Sequence, residues 1–114
     1  MGRQETEMLK GTLEGVVLAI VGRGQTYGYQ ITAWLREHAF ADIAEGTVYA
    51  VLVRIEQRGY VDVEKVPSEK GPPRKVYTLN AQGREQLDDF WQSWGFLSAR
   101  IEELRTDAFN RGER

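Results

Sequence analysis

The sequence predicts a mainly α-helical α+β fold: three helices, a two-stranded hairpin and one long closing helix. Three observations predict it. Apolar residues recur at three- and four-residue spacing through residues 8–22 and again through 45–58, the period of helices that bury one side. Residues 60–66 and 74–79 alternate with the period of two that strands require, and Pro67, Pro72 and Pro73 in the segment between them cannot continue a ladder. From Leu87 onward, apolar residues occupy positions 87, 90, 94, 97, 101, 104 and 108, an uninterrupted heptad seam.

Each element has its own signals. Leu9, Leu13, Val16, Val17 and Ile20 form the stripe of the first helix, and Gly22-Arg23-Gly24 stops it. A second helix is expected near Tyr27, with Thr26 as its N-cap and Tyr27, Ile31, Trp34, Leu35 and His38 on one side. Residues 39–44 make a short connection. The third helix covers residues 45–58, with Val48, Val51, Leu52 and Ile55 facing inward and Gly59 as its left-handed C-terminal cap. Asn80 is a good N-cap for the last helix, expected to reach about residue 107. A helix of ~27 residues is ~40 Å long, more than the width of so small a domain, so part of its seam must find another chain. The alternative is a helix that folds back alone. The division follows: residues 1–79 as one unit, a winged helix-turn-helix, and residues 80–114 as a dimerisation helix and tail, with Leu87, Phe90, Trp94, Leu97, Ile101 and Leu104 at the seam.

Composition narrows the function. The chain of 114 residues has no cysteine, so disulfides and thiolate metal sites are excluded and a reducing compartment suits it. His38 is the only histidine, and reads as an ordinary helix-end residue rather than a metal ligand. The apolar run at residues 16–21 is too short to span a bilayer, and the mixed charges of Arg3, Glu5, Glu7 and Lys10 make no signal peptide, so a soluble cytoplasmic protein is expected. No nucleophile–base pair, phosphate-cradling loop or metal cluster is present; Gly22, Gly24 and Gly28 follow no strand and make no dinucleotide fingerprint. The sequence is that of a binder without a cofactor, not an enzyme.

A helix that feeds into a basic-tipped hairpin can enter a major groove while the hairpin reaches the neighbouring backbone or minor groove of a DNA duplex. The outward face of the third helix offers Gly46, Thr47, Ala50, Arg54 and Gln57, with Val53 and Arg58 at its margins. Small residues let the helix approach the groove floor, Thr47 can meet a phosphate, a base edge or a thymine methyl, and Arg54 can reach a phosphate or a guanine. Glu45 is either a cap or a reader of cytosine. Arg74 and Lys75 supply the charge of the wing. The formal charge is −2, and residues 44–79 set Arg54, Arg58, Lys65, Lys70, Arg74 and Lys75 against Glu45, Glu56, Asp62, Glu64 and Glu69. Binding therefore needs a locally basic face, and two copies of it in a dimer bind an inverted repeat far better than one.

Several pieces of the chain resemble the PadR-like transcriptional regulators. They are Leu9-Lys10-Gly11-Thr12-Leu13-Glu14, Tyr27-Gly28-Tyr29, Glu45-Gly46-Thr47-Val48-Tyr49, Arg54-Ile55-Glu56, and Gly71-Pro72-Pro73-Arg74-Lys75 with Tyr77, Leu79 and Gly83. A single long C-terminal helix is similar to the smaller subfamily. The resemblance implies a homodimeric repressor of a palindromic operator, with Tyr27 also at the DNA interface. It further implies release by a planar aromatic molecule held between the protomers at Trp94, with Trp91 and Leu97 beside it. Val53 stands where the family often has a basic residue, Ala50 where it often has proline, Lys70 in place of a frequent wing glycine and Val76 in place of a common aromatic. The competing reading is a winged helix that serves as a protein–protein interaction module, which the acidic balance and Val53 would suit.

Overall fold

The computed structural model describes residues 3–38 and 40–110, with side chains as far as residue 107. The elements run α1 (Arg3–Gly22), β1 (Thr26–Tyr27), α2 (Gly28–Glu37), α3 (Glu45–Gln57), β2 (Val61–Val66), β3 (Arg74–Leu79) and α4 (Ala81–Asn110). The fold is the expected one, mainly helical with a winged hairpin and a long C-terminal helix. α1 starts five residues before the predicted position 8, because residues 3–7 are polar helix formers without an apolar period.

The core lies where α1, α2 and α3 meet the hairpin. Val17, Leu18 and Val21 of α1, Ile31 and Leu35 of α2, and Val48, Leu52 and Ile55 of α3 are almost wholly excluded from solvent. Val61, Tyr77 and Leu79 close it from the sheet side. The inward stripe expected for α3 is the observed one. In α1, Leu18 takes a central place and Val16 packs at the margin. Each fully buried Leu or Ile contributes on the order of 2 kcal/mol from apolar transfer, so these helices are held by packing more than by propensity.

Two caps fix how α3 hands over to the wing and the wing to α4. Gly59 has φ +78°, its amide donates to the Glu56 carbonyl at 3.0 Å, and the Tyr60 amide donates to the Ile55 carbonyl at 3.0 Å. This is the paired pattern of a Schellman end, which a left-handed glycine permits. Asn80 Oδ1 accepts from the Gly83 amide at 2.9 Å, as an N-cap should, while Asn80 Nδ2 donates to the Gly59 carbonyl at 2.9 Å. One side chain thus ties the start of α4 to the end of α3. A Cβ on Gly83 would lie 2.1 Å from the Tyr60 carbonyl oxygen, so only glycine allows this approach.

The sheet has three antiparallel strands in the order β1-β3-β2, not two. β2 and β3 pair from Val61↔Leu79 to Val66↔Arg74, and β1 adds Thr26↔Tyr77 and Tyr27↔Val76. Thr26 is accordingly a strand residue, and the position preceding α2 is taken by Tyr27, with no side-chain capping bond. The Thr26 hydroxyl donates to Gln30 Oε1 at 2.8 Å. A two-residue strand has no period to read, which is why β1 has no signal in the sequence.

α4 spans 30 residues, ~45 Å at 1.5 Å per residue, and gives the molecule a longest dimension of 61 Å. Its first turns pack inward. Leu87 joins the core, and Phe90 lies where a Cβ on Gly15 of α1 would meet its ring at 2.2 Å. These two seam positions are taken up within the chain.

Candidate nucleic-acid interface

α3 presents Gly46, Thr47, Ala50, Val53 and Gln57 to solvent, the face opposite its core stripe. Its N-cap, Ala44, makes no side-chain bond, and Glu45 stands in the first turn without capping it, favourably placed against the helix dipole. Between this face and the wing runs a groove lined by Tyr27, Tyr29, Tyr49, Val53 and Pro72 to Lys75. Tyr29 and Tyr49, which no periodicity marks, add exposed aromatic edges to it. Tyr49 can lie against the start of α2 because residue 28 is glycine: a Cβ there would be 2.7 Å from the ring.

The wing cations are oriented by aromatic and acidic neighbours. The Arg74 guanidinium sits 4.7 Å from the centroid of the Tyr27 ring, and Tyr27 in turn stacks with Tyr29 at 6.4 Å. A cation over a ring face gains roughly 0.5–1 kcal/mol at an exposed site. Lys75 Nζ donates to Glu56 Oε1 of α3 at 3.3 Å, which links wing and helix. Beneath them, burial pushes the Tyr77 phenol above its ordinary value, with the Glu56 carboxylate and Tyr49 adding to the effect, so it stays a neutral donor.

The other flank of α3 faces α1. Arg54 Nε and Arg58 Nη1 both donate to Oε1 of Glu14, at 2.9 and 2.8 Å. Arg54, expected to project outward for DNA, is thus held at its side by a carboxylate 40 positions earlier in the chain. The sequence offers one clue to that contact, a lone acid in the apolar stretch at residues 13–18. Of the expected DNA-facing residues, Tyr27, Thr47, Ala50, Arg74 and Lys75 lie along one surface that includes the groove and the α3 face, and Arg54 borders it.

The Transcriptional regulator PadR-like family matches residues 17–89, from the last turns of α1 to the first part of α4. The chain belongs to the PadR-like family of transcriptional regulators. Solved relatives agree over almost their whole lengths. A PadR-like transcriptional regulator from Bacillus cereus is 38% identical with a TM-score of 0.75, covering 86% of this chain and 95% of that one. A Streptococcus transcriptional regulator is 39% identical with a TM-score of 0.77, covering 86% and 96%. A PadR family regulator from Eggerthella lenta is 28% identical with a TM-score of 0.80, covering 89% and 88%. PadR-like proteins are DNA-binding regulators of transcription and not enzymes.

Two further features of the PadR-like chain lie away from the groove. The distal part of α4 carries Trp91, Trp94, Phe96, Leu97, Ile101 and Leu104, each between 46 and 70% exposed. The side chain of Ala108, the last seam position, falls outside the described residues. His38 stacks on Trp34 at 4.0 Å and its Nδ1 lies 2.8 Å from the Trp34 carbonyl oxygen, the helix-end packing expected of it. Among the described residues no helix is long and apolar enough to cross a membrane, and no His/Asp/Glu group is disposed to hold a metal ion.

Proposed function

We propose that the protein is a homodimeric repressor that binds an inverted-repeat operator and is released by a planar aromatic molecule. Residues 1–79 read the DNA and residues 80–114 join the protomers. The observation that carries this reading is the distal face of α4. Six large apolar side chains stand exposed on one helix that has already left its own domain, which is the mark of a surface built for a partner. Trp94, Leu97, Ile101 and Leu104 keep the heptad spacing of a helix–helix seam. A second copy of the same helix is self-complementary to it, as two-fold interfaces require.

Dimerisation also answers the weak charge of the chain. A single groove with Thr47, Ala50, Arg54, Arg74 and Lys75 has few cations, and joining two grooves at a fixed spacing multiplies their affinities. The resemblance to the smaller subfamily implies that Trp94 flanks an aromatic effector. Trp91 and Leu97 are the neighbours that would complete such a site between protomers. Replacing Trp94 by Ala should abolish binding of planar aromatic dyes, measured by fluorescence, and leave DNA binding in place; dye binding that persists would place the effector elsewhere.

Selection of bound duplexes from a random pool at physiological salt tests the whole reading. Enrichment of an inverted repeat, with affinity that falls steeply as salt rises, is the expected result. A folded, dimeric protein that enriches no motif would instead favour a role in protein–protein contact, to which the 51% exposed Val53 on the α3 face lends itself.

A further inference from the structure

α3 takes part in ion pairs on both flanks, one through its own Glu56 toward the wing and one through a carboxylate of α1. On the wing side Glu56 holds Lys75. On the opposite side Glu14 of α1, itself 20% exposed, holds Arg54 and Arg58, which are 43 and 51% exposed. Glu14 is the least exposed member of this cluster, and it reaches both arginines through one oxygen.

The geometry is that of a brace and not of a neutraliser. Two guanidiniums on one carboxylate leave one net positive charge on this flank, so it still attracts phosphate. The bond to Arg54 uses Nε, at the root of the guanidinium, and the bond to Arg58 uses a single Nη1. Arginine has five donors in a rigid fork, so fixing it through one of them sets the plane of the rest. Without the carboxylate, Arg54 and Arg58 are like charges at i,i+4 spacing and repel. They would sample separate rotamers, and ordering them on DNA would then cost affinity.

We propose that Glu14, on a helix that does not face the groove, is a positioning residue for DNA recognition: it pre-sets Arg54 and Arg58 for the phosphate backbone beside α3. The proposal rests on the DNA-reading role given to α3 above. It separates Glu14 from simple charge balance by direction. Removing a carboxylate that merely screened would strengthen binding to every duplex alike. Removing a brace lowers the preference for the operator over other DNA, since register is fixed by well-placed phosphate contacts.

The test compares wild type, Glu14→Gln, Glu14→Ala, Arg54→Ala with Arg58→Ala, and the triple variant. Each is titrated with the inverted-repeat duplex recovered from a random pool and with a scrambled duplex of equal length. Glu14→Ala is expected to lower the operator-to-scrambled ratio about tenfold, the scale of one misplaced charged contact. Glu14→Gln, which keeps the shape and one acceptor, is expected to fall between. In the background that lacks both arginines, removing Glu14 should change the ratio no further, because its effect runs through them. All variants should melt within about 5 °C of wild type, since half-exposed pairs add little stability. An unchanged ratio in Glu14→Ala, equal tightening on both duplexes, or a full effect in the absence of the arginines would overturn the proposal. Failure of wild type to prefer any duplex would overturn the DNA-reading role itself, and is seen in the wild-type arm alone.

Discussion

The chemistry of the candidate site turns on a few side chains whose partners, more than their identities, set what they do. Arg74 is aimed by the Tyr27 ring and Lys75 by Glu56, while Tyr77 lies buried below both. The Tyr77 phenol illustrates the cost of that burial. Its folded value is raised above 10.0, first by desolvation and then by Glu56 and Tyr49, so the folded state holds the proton more tightly than the unfolded chain does. The stability this provides is complete below the unfolded value and is lost as pH rises through the folded one. Urea midpoints followed from about pH 8 to about pH 11 should therefore fall more steeply for wild type than for Tyr77→Phe. Parallel profiles would show that the phenol is not desolvated by the fold.

Among the elements, those whose cause is local were legible in the sequence and those whose cause is distant were not. The α3 stripe, Gly59 as its left-handed end and Asn80 as the cap of α4 all depend on residues within a few positions of one another, and all are found as expected. β1 escapes such a reading because two residues carry no period, and its strand identity comes from pairing with Tyr77 and Val76 some fifty positions away. The Glu14 brace escapes it for the same reason. The seam of α4 is legible as a period but not as a set of partners. Leu87 and Phe90 belong to the same heptad series as Leu97 and Ile101, yet the first pair packs against its own domain and the second stands exposed. The wing was legible from its prolines and charges, and its role can be tested as an element. Replacing Arg74 and Lys75 together with Ala should lower operator affinity about tenfold or more and reduce the dependence of log affinity on log salt by about four, two contacts from each protomer of the dimer. The melting temperature and the oligomeric state should not change, because both side chains make only exposed contacts. An unaltered salt slope would mean that the wing does not touch phosphate.

At the scale of the whole molecule, the long α4 separates the two tasks of the proposed regulator. Its first turns are fastened to the winged-helix core by Leu87 and the Asn80 cap and by the packing of Phe90 over Gly15. Its distal turns bear the apolar face on which a second protomer would sit. In such a dimer the angle between two α4 helices sets the distance between two α3 helices, and half-sites of DNA must match that distance to be bound together. A planar ligand wedged near Trp94 would change that angle without touching the groove, which is a physical route from effector to release. The dimer is the premise of this coupling and can be removed alone. Leu97→Glu with Ile101→Glu places charges on the exposed seam, at positions that contribute nothing to the core of the single chain. The variant should fold, sediment as a monomer where wild type is a dimer, and bind the full inverted repeat about 100-fold more weakly, the scale of lost avidity. Its affinity for a single half-site should match that of wild type. A variant that remains dimeric would move the interface off the seam, and one that is monomeric but retains full operator affinity would mean that each groove reads its site unaided.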